Sequence, residues 1–303
     1  MTNDEHDSAA PHLPVLLTET IEALALQPGD NVLDGTVGAG GHAAAALERT
    51  APGGRLLGLD LDEVALETAS KNLHRFGSRV MLVRGSYRDA ASIAAAGEFE
   101  PVQAALLDLG FSSMELDDPA RGFSLRQDGP LDMRFDRRQE LTAATVVNGW
   151  GKDDLERVIR VYGEERYSRR IAEAIVRARR EAKLVGTRQL VDAIAGAVPA
   201  VYRHGRLHFA TRTFQALRIA TNDELETVKA ALPALLGMLA PGGRLAVISF
   251  HSLEDRVVKQ TFQQMVRAGE AELPFKKPIV ATEAETAVNQ RARSAKLRVA
   301  IKL

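Results

Sequence analysis

The chain has 303 residues, 45% hydrophobic and 26% charged, a mix that supports a sizeable core and argues against global disorder. It has no cysteine, which excludes a disulfide scaffold and a thiolate metal site, and its formal net charge of −1 does not announce a nucleic-acid binder. Met1–Ala10 is polar and acidic rather than signal-like, and no uncharged apolar run reaches the roughly 18 residues of a membrane span, so a soluble cytoplasmic protein with no membrane partner is expected.

In chain order, Asn31–Asp34 is a short apolar run ending in an acid, followed by a glycine-rich turn and the helix-forming stretch His42–Arg49. Gly54–Asp60 reads as a second buried strand. Asp62–Arg75 carries Val64, Ala65, Leu66, Ala69 and Leu73 at near-helical spacing. Arg79–Val83 is a third strand, Arg88–Ala96 a short helix and Val102–Leu109 a fourth strand. This alternation predicts an α/β fold with a Rossmann-like parallel sheet covered by helices on both faces.

The alternation then breaks. Gly110–Arg138 is loop-like, punctuated by Asp-Pro, Arg-Gly and Asp-Gly-Pro. From Leu141 to Val198 the period is helical, with helices expected at Asp153–Tyr162, Ser168–Lys183 and Thr187–Val198. Afterwards a helix over Asp223–Leu239, with Asn222 as its N-cap, leads through the turn Pro241-Gly242-Gly243 into a buried strand, Arg244–Phe250. Lys276–Leu303 is expected to add one or two antiparallel edge strands. The expected division is a sheet domain in 1–137 and 207–303, interrupted by an inserted all-helical domain in 138–206.

The first chemistry is the run Asp34-Gly35-Thr36-Val37-Gly38-Ala39-Gly40-Gly41-His42, between a strand and a helix. Glycines there let backbone approach a ligand closely. The next strand ends at Asp60, an acid able to accept hydrogen bonds from both hydroxyls of a ribose. The glycine order is not the G-x-G-x-x-G of dinucleotide binding, and Asp34 would repel a pyrophosphate but suit the ammonium of a methionine-like group. S-adenosylmethionine therefore fits better than NAD, with a tight structural turn as the alternative. The fourth strand ends at Asp108, at the same edge.

Further on come Leu107-Asp108-Leu109-Gly110-Phe111-Ser112-Ser113, Arg121-Gly122-Phe123-Ser124 and Asp128-Gly129-Pro130-Leu131-Asp132-Met133-Arg134. Tyr162-Gly163-Glu164-Glu165, Ala210-Thr211-Arg212-Thr213-Phe214-Gln215, Ser249-Phe250-His251-Ser252-Leu253-Glu254 and Arg291-Ala292-Arg293-Ser294 follow. Together, in this order from about His12 to Ala300, they resemble the MraW-type family of ribosomal RNA small-subunit methyltransferases H. The resemblance implies a class I methyltransferase sheet interrupted by a helical domain. It also implies methyl transfer from S-adenosylmethionine to N(4) of a cytosine in the decoding region of 16S ribosomal RNA.

Carried over by position, the cofactor contacts would be Gly40, Gly41, His42, Asp60, Tyr87, Asp108 and residue 115, with Asp34 added from the reading above. Position 87 is Tyr where the family often has Phe. Position 115 is Glu where it usually has Gln, and an ionised Glu cannot donate a hydrogen bond. Asp108, Ser112 and His251 are the catalytic candidates, Asp108 for orienting the amine or the cofactor and Ser112, beside Ser113, in support. His251 follows the fifth strand and reads equally as a structural cap, and Ser252–Asp255 resembles a capping box. No clustered metal ligands stand out.

The partner implied is small-subunit ribosomal RNA or an assembled small subunit, and a homodimer is compatible with the resemblance. Glu156–Lys183 holds nine Arg or Lys against five Glu. Arg166, Arg169, Arg170, Arg177, Arg179 and Arg180 are candidates to grip phosphates, as are Arg212 and Arg218, although Thr211–Ile219 could instead buttress the cofactor helix. The basic tail, with Arg291, Arg293, Lys296, Arg298 and Lys302, could join them. The alternatives left open are a methyltransferase of another substrate, a dehydrogenase, and a non-catalytic assembly factor.

Overall fold

The computed structural model describes residues 14–303, so the polar stretch Met1–Ala10 lies outside the described residues, as does the side chain of Ser113. The apolar runs become strands β1 (Val32–Asp34), β2 (Leu56–Asp60), β3 (Val80–Arg84), β4 (Val102–Asp108) and β5 (Leu239–Ser249). The C-terminal segment adds β6 (Ala271–Glu272), β7 (Ile279–Val280) and β8 (Lys296–Lys302). All of β1 and the first four residues of β2 are buried, the unbroken apolar pattern of parallel strands covered on both faces.

The sheet order is β3-β2-β1-β4-β5-β8-β6, with β7 also on β8. The first five strands are parallel, and β8 runs antiparallel to β5. The expected C-terminal strands are thus antiparallel, but β8 is paired on both sides rather than an edge. The chain builds outward from β1 to β3, then restarts on the other side of β1 with β4. That reversal opens a crevice at the carboxyl ends of β1 and β4, the place where open α/β sheets bind ligands. Asp34 is level with Gly58 of β2 and Leu106 of β4, so Asp60 and Asp108 each stand two residues further out. The Pro241-Gly242-Gly243 turn persists as an irregularity inside β5, where Leu239 lies opposite Val102 but Arg244 lies opposite Ala104.

Two compact units divide the chain. The sheet unit contains the described residues up to Leu109, with Ala234–His251 and Phe262–Leu303. Its core joins Leu24, Leu47 and Leu73 from three helices to Leu56, Leu106 and Ile248 from the strands. The helical unit is Gly110–Pro233 with Ser252–Thr261, wider at both ends than the segment 138–206 read from periodicity. Its helices Lys152–Val161, Ser168–Glu181, Thr187–Ala197 and Thr211–Asn222 contribute the pairs Leu155/Ile159, Ile171/Ile175, Leu190/Ile194 and Phe214/Leu217 to one core. Each pair is at helical spacing, which sets one apolar stripe per helix.

The boundaries differ because packing, not periodicity, decides them. The loop Gly110–Arg138 lacks a period but is held by specific bonds. Asp128 Oδ1 accepts from Thr187 Oγ1 at 3.2 Å and from Arg188 N at 3.0 Å, securing the start of the helix Thr187–Ala197. Asp132 takes Arg134 in a two-point pair at 2.8 Å. Asn222 does not cap the following helix. It ends the helix Thr211–Asn222, accepts from Phe135 N at 2.8 Å and donates to Met133 O at 2.7 Å, while left-handed Asp223 (φ 49°) separates it from the helix Glu224–Met238. Within Thr211–Ile219, Phe214 and Leu217 pack in the helical core.

Glu164 is also left-handed (φ 48°), a costly conformation for a residue with a side chain. It is held there from three directions. Ser252 Oγ donates to its carboxylate at 2.9 Å, Arg256 Nη2 donates at 3.1 Å, and Arg212 Nη1 donates to its carbonyl at 3.2 Å. Among the described residues no helix is long and apolar enough to cross a membrane.

Candidate active site

The glycine turn fills the gap left where β1 stops short. Gly40 has φ 87°, a left-handed conformation natural to glycine, and precedes the helix Gly41–Arg49. A Cβ on Gly41 would lie 2.3 Å from Pro14 Cγ, so a side chain there would displace the incoming chain.

The three strand-end acids sit differently. Asp34 is 2% exposed, and its carboxylate accepts from Thr36 N at 3.1 Å. Burial first, then the negative charge of Asp60, pushes its pKa up to about 7. Asp60 accepts from Gly38 N at 2.9 Å on one oxygen and from Asp62 N at 2.9 Å on the other, and burial raises it too. Each of its oxygens keeps a further lone pair for a ligand donor. Asp108 is anchored through its backbone, whose N–H donates to Thr36 Oγ1 at 2.6 Å, and its carboxylate is 26% exposed at the crevice.

His42, on the first turn of the helix Gly41–Arg49, is buried and contacts the carbonyl of Val15 through Nε2 at 3.0 Å. A carbonyl only accepts, so Nε2 carries the proton. Burial lowers the ring's pKa to about 4, so it is neutral and its Nδ1 is a bare acceptor. That atom lies 3.9 Å from Asp108 Oδ2. Two acceptors are thus brought close together at the end of β4. Tyr87 is half-buried, and its Cβ lies 2.8 Å from where a Cβ on Gly35 would stand.

The structure gathers Asp34, Gly40, Gly41, His42, Asp60, Tyr87, Asp108 and His251 in the sheet unit, His251 directly after β5 and half-buried. Ser112 and Glu115 belong to the helical unit, where they form a capping box on the short helix Ser113–Asp117. Ser112 N donates to Glu115 Oε2 at 2.8 Å, and Glu115 N donates to Ser112 Oγ at 3.1 Å. The other Glu115 oxygen pairs with buried Arg121 at 3.0 Å. A carboxylate therefore suits position 115 for local reasons that an amide would meet only in part. Thr36 and the Val15 carbonyl escaped sequence reading. Thr36 lay unread inside the glycine run, whereas Val15 reaches His42 across 27 residues with no local signal.

The basic residues divide. Arg179 donates to the carbonyls of Val147 and Trp150, each at 2.7 Å, and so closes helix ends rather than facing a partner. Arg218 is buried, makes two 2.8 Å bonds to Glu224 and lies 3.7 Å from Glu254. Lys302 Nζ holds the carbonyls of Gly237 and Leu239 at 2.6 and 2.5 Å. Arg166, Arg169, Arg170, Arg177 and Arg180 remain exposed. Arg166 lies 4.8 Å over the Tyr167 ring and 4.9 Å over that of Tyr202.

The crevice fits S-adenosylmethionine. It offers a ring of acids beside an open glycine backbone, and burial of Asp34 and Asp60 next to each other favours a ligand that brings positive charge. A pyrophosphate would add negative charge to an already anionic cleft.

Residues 9–303 match the MraW methylase family. The chain is 50% identical over 307 residues to the ribosomal RNA small subunit methyltransferase H of Symbiobacterium thermophilum, covering 96% of each chain. It is 48% identical over 302 residues to the protein of that name from Syntrophotalea carbinolica, covering 95% of this chain and 96% of the relative. The corresponding Heliobacterium mobile protein is 47% identical over 308 residues, with 96% and 99% covered.

Proposed function

The chain belongs to the MraW methylase family and is an S-adenosylmethionine-dependent methyltransferase, and from that premise we propose that it methylates N(4) of a cytosine in the decoding region of 16S ribosomal RNA. The observation that carries this reading is the pair of acceptors, Asp108 Oδ2 and neutral His42 Nδ1, brought 3.9 Å apart at the switch point of the sheet. When bound, S-adenosylmethionine supplies an electrophilic methyl group on a cationic sulfur.

The chain's residues then do the rest. Asp60 accepts from the ribose hydroxyls, Tyr87 packs beside the adenine, Gly40 and Gly41 keep the backbone open, and Asp34 answers the ammonium. A cytosine amine is a poor nucleophile because its lone pair is delocalised into the ring. Acceptance of its N–H bonds by Asp108, with His42 beside it, draws that pair back onto nitrogen and aims it, so positioning is the main contribution. The amine sheds its proton during or after transfer, with Asp108 Oδ2 as the acceptor.

The target base must leave any helix to be reached. The helical unit is the RNA-recognition part, and its exposed Arg166, Arg169, Arg170, Arg177 and Arg180 neutralise phosphates near the target. The substrate is the small-subunit RNA, free or assembled, which places the reaction in the cytoplasm.

The test is transfer of labelled methyl from S-adenosylmethionine to small subunits that lack the modification, with Asp108→Ala in parallel. Label on one cytosine, lost in the variant with cofactor binding retained, is the expected result. Absence of label on subunits, with cofactor binding intact, would overturn the substrate assignment and leave the methyltransferase fold standing.

A further inference from the structure

A cavity of about 270 Å³ opens within the helical unit, and none of its lining belongs to the sheet unit. Its lining includes two stacked rings, His208 and Phe209, with centroids 4.3 Å apart and planes 28° apart. His208 Nδ1 accepts from Ala210 N at 3.3 Å, which fixes the imidazole plane relative to the chain. Phe209 packs on the helical core, so the platform has a rigid base. Arg126 and Arg188 are exposed residues of the same lining, together with Asp128 and Asp192.

This lining does not suit a bare anion, because two carboxylates offset the two guanidinium groups. It does not suit an apolar ligand either. It suits a group with a flat face, hydrogen-bond donors at its rim and a phosphate on its flank. Aromatic and histidine rings accept unpaired bases by stacking, and arginine grips the backbone beside them. Asp128 is held ionised, chiefly by the N–H of Arg188, and Asp192 lies 3.8 Å from the Arg188 guanidinium. Carboxylates so placed accept from exocyclic base amines, as they do from cytosine N4 in other nucleic-acid contacts.

We propose that this cavity is a second nucleotide subsite, which takes an unpaired base of the RNA on the His208–Phe209 platform with its phosphate between Arg126 and Arg188. The inference rests on the reading that the substrate is RNA and extends it to a residue other than the one methylated. It gives the helical unit a base-reading task beyond phosphate neutralisation.

The test uses the full chain, a fluorescently labelled single-stranded RNA covering the methylated region, and small subunits lacking the modification. RNA affinity, the KM for subunits and S-adenosylmethionine binding are measured for wild type, His208→Ala, His208→Phe and Arg126→Ala. His208→Ala should weaken RNA binding about tenfold, within the range of one lost base stack. His208→Phe should restore it, because a flat ring suffices. Arg126→Ala should weaken binding and flatten its salt dependence by about one counterion. Cofactor binding should be unchanged in all three. If wild type methylates RNA and the alanine variants keep its affinity and KM, the subsite is refuted and the RNA assignment stands. If wild type binds S-adenosylmethionine but neither binds nor methylates RNA, the assignment falls and the subsite with it.

Discussion

Replacing Asp34 by Asn tests how the crevice tells a cationic cofactor from an anionic one. With a pKa of about 7, Asp34 carries a proton in about half of the free molecules at pH 7. A bound ammonium favours the ionised carboxylate and draws its pKa back toward the ordinary value. Binding at pH 7 should therefore release about half a proton from this residue. Over the same transition the ionised fraction rises about tenfold between pH 6 and pH 8, and affinity should rise by about that factor. The assay is calorimetric titration with S-adenosylmethionine in two buffers of different ionisation enthalpy, for wild type and Asp34→Asn. The difference between the two proteins cancels any proton the ligand itself exchanges, and a residual in the variant reports Asp60, raised by the same burial. Equal proton release in both proteins would refute the role given to Asp34.

Acid stability should expose two opposed titrations. Asp34, raised in the folded state, removes stability as pH climbs from about 4 to about 7, whereas His42, lowered to about 4, removes stability as pH falls from about 6.5 to about 4. The two offset in that window, so Asp34→Asn should turn a shallow urea-midpoint profile into one that falls on acidification, by about 3 kcal/mol at most. Arg218→Met should cost about 3–5 kcal/mol in denaturant unfolding, because it removes the two 2.8 Å bonds to buried Glu224 and the positive charge beside Glu254 in the helical unit. Glu115→Gln should cost about 2 kcal/mol through the weakened bond to buried Arg121, while S-adenosylmethionine affinity, measured by the same titration, stays close to wild type.

The sheet was legible because each parallel strand is an unbroken apolar run, and the acids at 34, 60 and 108 fall where those runs stop. The crevice was readable for the same reason. The extent of the helical unit was not, because its opening stretch, Gly110–Arg138, has no period. What organises that stretch is pairwise bonding such as Asp128 with the start of a distant helix, which leaves no trace in local spacing. The roles of Arg179 and Arg218 were hidden similarly. Charge can be counted along a chain, but whether a guanidinium meets solvent or a buried carboxylate depends on residues far away in sequence. Glu115 was noticed as a departure at one position, and its explanation needed the neighbouring Arg121 in space.

The helical unit is not a cassette. It takes Ser252–Thr261 from the chain downstream of β5, and two of the three groups that hold Glu164 in its left-handed turn, Ser252 and Arg256, come from that borrowed piece. A graft of residues 110–233 onto another scaffold would arrive with Glu164 tethered only by Arg212. Recombining this unit between proteins therefore needs two splices made together, and a chimaera with a single junction should lose its grip at that turn before it loses any helix.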